Sequence, residues 1–332
     1  MAKSTRGRHT LDPSFHPNGK TLATFDRPRA SSTRLLVVSD PHLSPTAHGT
    51  LKCYHRSKQR LEMAFADAHR LDIDGVVLAG DLTKDGAGPE YALAGELLRV
   101  APRPTVVVPG NHDVTGPADD GPINSGEEFA AWLDRPAYPF REEIGDIAVT
   151  GVDSTCSTDA EAIGGRASAD NRASIRTHER MNPEIAVMHH PFASVPSPFD
   201  GALSEDAYRV DEPAAVADAF VGGGVDLAIT GHVHWPYAAE YKGVNVVGAP
   251  SSASFPPAYL VIDVTPSGTT VSLVPLAGEY GLSEAYEFAL QDEYRGEPIA
   301  TALDEGYFGQ FPMVEQQRSP EPDPSRAVAD LR

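Results

Sequence analysis

Cysteine is nearly missing: Cys53 and Cys156 are the only two in 332 residues. Two cysteines cannot build a disulfide framework in so long a chain, so the expected setting is the reducing cytoplasm. Lysine is scarce as well. Lys3, Lys20, Lys52, Lys58, Lys84 and Lys242 are the full complement, against 47 acidic residues, and the formal net charge is -20. That balance disfavours a broad nucleic-acid interface, which needs a basic footprint. It suits a surface kept soluble at high salt, as in a halophilic source; an ordinary acidic protein is the plainer reading. No apolar run is long enough to span a membrane as a helix. The basic start at Lys3, Arg6 and Arg8 is not followed by the apolar stretch of a secretory signal. Neither a membrane nor a nucleic acid is therefore an expected partner, and the oligomeric state is left open.

What is present is a regular alternation. Short β-branched runs at residues 35–38, 75–79 and 105–108 are separated by amphipathic stretches at 57–70 and 89–100, the second with Pro89 in its first turn. This β-α-β-α-β rhythm predicts an α/β fold with a buried parallel sheet and right-handed crossovers. Further strands are predicted at 147–152, 184–188 and 225–230, and helices at 127–133, 169–179, 211–220 and 283–303. Four short strands at 237–241, 244–247, 258–264 and 270–274 have the texture of one antiparallel meander. From about Gln316 the chain is rich in Pro, Glu and Asp, the composition of a disordered tail.

The chemistry-bearing residues all follow predicted strands, the edge at which open α/β sheets bind ligands. They are Asp40-x-His42, Gly80-Asp81, Gly110-Asn111-His112-Asp113, His189-His190 and Gly231-His232-x-His234. Singly, each has a bland alternative: a solvated loop, a capping turn, a satisfied core histidine beside an exposed one. Five such motifs in order, at crossover-sized spacing, are not five accidents. In the last motif, alternate residues of an extended chain would share one face, aiming both imidazoles at one site. Imidazole and carboxylate suit borderline divalent metals. A carboxylate can bridge two cations about 3.5–4 Å apart, and such a pair acidifies a shared water to the hydroxide that would serve as nucleophile. Asp81, the lone carboxylate after a central strand, is the natural bridge.

In this motif set the chain resembles the calcineurin-like metallophosphoesterase superfamily over residues 34–274. The resemblance implies a four-layer αββα sandwich, with two mixed β-sheets flanked by helices. It implies two divalent cations (Mn, Fe, Zn or Ni), one on Asp40, His42, Asp81 and His234, the other on Asp81, Asn111, His189 and His232. His189 is taken over His190 because the first histidine of the pair is the ligand in the family pattern. His112 would donate to a phosphate oxygen or the leaving group, with Asp113 orienting it. One departure is Lys84, where the family often carries an acid. The HHP and GHVH forms look most like the cyclic-nucleotide and glycerophosphodiester phosphodiesterases. The expected function is thus hydrolysis of a small phosphate ester, most of all a phosphodiester. A phosphomonoesterase is the alternative; a non-catalytic metal-binding scaffold and a DNA nuclease are weaker rivals. The expected organisation is an N-terminal arm (1–33), the phosphoesterase domain (34–278), a C-terminal helical extension (279–315) and the tail (316–332). Ser154, His48, His55 and Arg56 are weaker candidates, with no base spaced to make Ser154 a nucleophile.

Overall fold

The computed structural model describes residues 19–49, 51–114, 122–155, 164–177, 182–196, 199 and 208–317. Two mixed sheets lie face to face with helices outside them, so the α/β sandwich expected from the resemblance is the architecture. In chain order the strands are β1 (Lys20–Phe25), β2 (Thr33–Val38), β3 (Gly75–Leu78), β4 (Thr105–Val107), β5 (Phe140–Ile144), β6 (Ile147–Gly151) and β7 (Glu184–Val187). They continue with β8 (Val225–Thr230), β9 (Tyr237–Tyr241), β10 (Val244–Gly248), β11 (Ala258–Thr265), β12 (Gly268–Pro275) and β13 (Val314–Glu315). One sheet runs β13-β1-β12-β11-β2-β3-β4 and the other β5-β6-β7-β8-β10-β9.

The helices are α1 (Tyr54–Arg70), α2 (Gly88–Val100), α3 (Gly126–Trp132), α4 (Ala169–Thr177), α5 (Pro213–Gly223), α6 (Glu279–Ala289) and α7 (Gly296–Asp304). Alternation along β2 sorts the layers: Leu35 and Val37 join the core that also holds Val149, Ile185 and Ile229 of the second sheet. Leu36 and Val38 join the outer core with Leu61 and Phe65 of α1 and Leu97 of α2. On α1 the buried Leu61, Ala64, Phe65 and Ala68 recur at helical spacing. The predicted parallel pairs β2–β3–β4 are present, β7 and β8 are parallel too, and together they bring two sets of strand ends to one edge.

Four expectations need correction. Residues 20–25, assigned to an arm, form β1 and pair antiparallel with β12. Leu22, Ala23 and Phe25 are fully buried there, a short half-apolar strand that only a partner strand reveals. The meander is two hairpins in different sheets, β9–β10 in one and β11–β12 in the other, because Ser251–Phe255 carries the chain across the site. The single helix at 283–303 is two. Asp292 Oδ1 accepts from the backbone N–H groups of Tyr294 and Arg295, both at 2.9 Å, and this Asx turn ends one helix before Gly296 and Pro298 begin the next. Finally, the tail boundary lies too early. Gln316 N–H donates to Thr24 O at 2.9 Å and its side chain reaches Asn245 Oδ1 at 2.7 Å. Residues 318–332, and the end of the helix expected at 169–179, lie outside the described residues.

Candidate dinuclear metal centre

The site is assembled where β2, β3 and β4 of one sheet and β7 and β8 of the other end together. Backbone bonds tie these ends to one another: Asp40 N to Gly80 O (3.1 Å), His42 N to Asp81 O (2.9 Å) and Gly231 N to His189 O (2.9 Å). Two glycines are required by close approach. At Gly80, φ is +92° and a Cβ would overlap the His189 ring; at Gly110 a Cβ would overlap the Asp81 carboxylate. Asp40, His42, Asp81, His232 and His234 all hold left-handed backbone, with φ between +44° and +67°. For residues with a Cβ this conformation costs roughly 1–3 kcal/mol each, and it persists where surrounding contacts enforce it. It also overturns the extended-chain reading of Gly231-His232-x-His234: β8 stops at Thr230, and the two imidazoles go to different groups.

The ligand atoms of Asp40, His42, Asp81 and His234 lie within 4.8 Å of one another, and those of His189, His190 and His232 form a second such group. In the first, His234 Nε2 is 3.0 Å from Asp40 Oδ1 and His42 Nε2 is 3.1 Å from His234 Nε2. Asp81 joins the groups, its Oδ2 lying 3.6 Å from His42 Nε2 and 3.3 Å from His189 Nε2. The other carboxylate oxygen accepts from His112 N at 2.9 Å. His189 donates through Nδ1 to Ala79 O at 2.8 Å, which turns Nε2 inward. His234 Nδ1 is held by Ser254 Oγ at 3.0 Å.

The donor set fits divalent cations. Asp40 Oδ1, Asn111 Oδ1, His189 Nε2 and His232 Nε2 are buried without a hydrogen-bond partner, a costly state that coordination would relieve. Burial, aided by nearby positive charge, holds His42, His232 and His234 well below the ordinary histidine range, the neutral form a ligand needs. Burial pushes Asp81 upward, but His189 and His112 outweigh it and hold its carboxyl well below the usual range.

Residues 33–236 match the family model described as calcineurin-like phosphoesterase. The chain belongs to the calcineurin-like phosphoesterase family. It is a metal-dependent hydrolase of phosphoric esters. It is 25% identical, over 227 residues, to a probable cyclic nucleotide phosphodiesterase of Pseudoalteromonas sp. (strain SM9913), covering 66% of this chain and 78% of that one. In fold it resembles a dimetal phosphatase from Danio rerio (TM-score 0.55, 12% identity, 74% of this chain and 96% of that one). It also resembles a purple acid phosphatase from yellow lupin, Lupinus luteus (TM-score 0.51, 15% identity, 75% and 52%).

This phosphoesterase departs from the sequence reading in its supporting residues. Asp113 does not touch the His112 ring. Its carboxylate accepts from the N–H groups of Leu82 (3.1 Å), Thr83 (2.8 Å) and Gly110 (3.0 Å) and from Thr83 Oγ1 (2.9 Å), so it pins the loop that carries Asp81. The His112 ring is oriented by Lys84, whose carbonyl accepts from Nδ1 at 2.5 Å. Lys84 is the position where the sequence departs from the family, and its backbone makes the contact, so the departure leaves this bond intact. His190, set aside on sequence, is buried beside His189 and His232, and Ser154 Oγ lies 2.9 Å from its Nδ1. His48 and His55 stack on each other, and His55 and Arg56 engage Glu284 instead of the centre.

Sequence reasoning missed Lys52, whose Nζ lies 3.1 Å from His42 Nε2 and whose pKa burial lowers to about 8. It missed Ser254 too. The strand-end rule applied to β10, followed by Ser251-Ser252-Ala253-Ser254, would have found Ser254; no local pattern marks Lys52.

Proposed function

We propose that the protein hydrolyses phosphodiesters at a dinuclear centre. Asp40, His42, Asp81 and His234 hold one divalent cation, and Asp81, Asn111, His189 and His232 hold the other. The observation that carries this reading is the Asp81 carboxylate, set between the two groups at 3.6 Å from His42 and 3.3 Å from His189. His189 is preferred to His190 because, among the described residues, it is the one of the pair that approaches Asp81. When bound, two divalent cations acidify a water and offset charge on the phosphoryl oxygens. The chain's own groups do the rest. The Nδ1 bonds of His189 to Ala79 and of His234 to Ser254 orient each ring with Nε2 toward the centre. The Nδ1–H of His112 is committed to the Lys84 carbonyl, so Nε2 is the nitrogen left to serve the leaving oxygen, and it donates there when the ring carries a hydrogen on both nitrogens. Asp113 acts at one remove, by holding the Asp81 loop.

Likeness to the Pseudoalteromonas relative supports a diester as substrate. Mixed imidazole and carboxylate donors support Mn, Fe, Zn or Ni as the metals. Scarce cysteine supports a cytoplasmic setting, and the charge of -20 supports adaptation to salt. Among the described residues no helix is long and apolar enough to cross a membrane. The test is to load the purified protein with Mn²⁺, Zn²⁺, Ni²⁺ or Mg²⁺, measure bound metal, and assay phosphodiesters against phosphomonoesters. Two equivalents of metal with diester preference is the expected result. A monoester preference overturns the choice of diester, and binding that saturates at one equivalent overturns the dinuclear assignment.

A further inference from the structure

A cavity of about 430 Å³ opens beside His234, within the size range of small-molecule sites. Its far wall is the turn at 291–295 between α6 and α7, which lies beyond the residues matched to the family. Among the described residues its walls include several aromatic rings, Tyr54, Tyr208, Trp235 and Phe255 among them. Two cations also line it, Lys52 and Arg295, each half-buried; of the two acids at its rim, Asp292 is engaged by the backbone of its own turn and Glu293 is exposed. Among the described residues no carboxylate lies within ion-pair distance of either, although the chain carries 47 acids and six lysines. Lys52 is at the metal end, 3.1 Å from His42. Arg295 lies with its guanidinium 5.9 Å from the centroid of the Tyr208 ring. The Asx turn made by Asp292 sets the backbone at that position.

Cations beside a metal centre that have no carboxylate partner among the described residues await an anion, and aromatic walls with a guanidinium laid against a ring await a planar group. We propose that this cavity receives the organic group esterified to the phosphate. Lys52 contacts the phosphoryl group, and Arg295, delivered by the C-terminal extension, determines specificity by stacking on a planar aromatic base carried by the esterified group. The substrate class is then a nucleoside phosphodiester in preference to an aliphatic one. This rests on the phosphodiesterase reading and adds to it a residue outside the metal ligands.

The test compares wild type, Arg295→Ala, Arg295→Lys and Lys52→Met, each metal-loaded and checked by thermal melt. The substrates are 3′,5′-cyclic AMP and glycerophosphoethanolamine. In Arg295→Ala, kcat/KM for the nucleotide should fall about 10-fold, chiefly through KM, the scale of one desolvated cation–aromatic contact. The aliphatic diester should change less than about 2-fold. Arg295→Lys should not restore the nucleotide, because a point charge lacks the planar face. Lys52→Met should slow both substrates. Calorimetric binding of AMP to wild type and Arg295→Ala supplies a readout independent of turnover. Equal effects of Arg295→Ala on both diesters, or unchanged AMP binding, overturn the specificity assignment while leaving phosphodiester hydrolysis standing. A wild type that cleaves neither diester but binds AMP through Arg295 overturns the diester reading and leaves the pocket assigned.

Discussion

Asp81 is the residue on which two sets of contacts meet, so its replacement should fail in two ways at once. Asp81→Asn should lose bound metal and turnover together, as metal analysis beside an activity assay would show; two full equivalents with normal turnover would refute the bridge. His112 and His189 should separate. His112→Ala should lower turnover by about 10²–10⁴-fold, the range for a general acid, with metal content near normal. His189→Ala should empty or weaken one site, and equal metal loss in both variants would contradict the division. Asp113 offers a third behaviour. Its carboxylate accepts four bonds from the loops at 82–83 and 110, and an amide cannot accept from all of these donors. Asp113→Asn should cost about 1–3 kcal/mol, the penalty for leaving buried polar groups unsatisfied. Urea unfolding measures it, and an unchanged midpoint would show that the loop holds itself.

The C-terminal extension is fastened at the level of elements. Glu284 on α6 accepts from Arg56 at 3.0 and 3.1 Å and meets His55 at 3.2 Å, both on α1. Its bonds with Arg56, against the opposing effect of burial and with help from His55, hold its carboxyl down at about 2. A carboxyl depressed in the folded state stabilises above its unfolded pKa, 4.5, and that contribution is lost as pH falls toward about 2. Glu284→Gln should therefore cost about 0.2–1 kcal/mol near pH 7, the range for partly exposed pairs. The gap to wild type should close between pH 4.5 and 2 in urea melts; a gap that widens on acidification would reverse the assignment. The far end of the extension docks as β13 on β1. A chain ending at Gln317 should melt as the full chain does. One ending at Pro312 should melt lower, because it strips β13 and the Gln316 contacts from the edge of β1. Equal melting of the two would show that β13 contributes nothing.

For the whole molecule the dominant feature is charge. With 27 basic and 47 acidic side chains, like charges repel across the surface at low ionic strength. The Debye length is roughly 30 Å at about 0.01 M salt and roughly 3 Å at about 1 M, so molar KCl should remove most of that repulsion. The melting temperature should rise along a KCl series, and initial rates with an anionic substrate should rise with it. A flat or falling melting temperature would defeat the salt-adapted reading and leave the phosphoesterase chemistry untouched.

The sequence by itself determined the α/β rhythm, the family and the seven residues proposed as metal ligands. Each of those residues lies within a few positions of the end of an apolar run, so local periodicity placed it at the sheet edge, and the resemblance singled it out as a ligand. Only the tertiary structure decided the backbone path that separates the ligands, a division the resemblance had already implied. His232 and His234 part to different groups because their backbones turn left-handed, a conformation that neighbouring loops impose and no periodic pattern encodes. The same holds for β1 and β13, which become strands only by pairing with residues far off in the chain. It holds for Asp113, whose partners are 30 and 31 residues away in the 82–83 loop. Lys52 and Arg295 are 243 positions apart yet line one cavity. A side chain on an irregular loop acquires its neighbours from the packing of other elements, and that packing is not a local property of the chain.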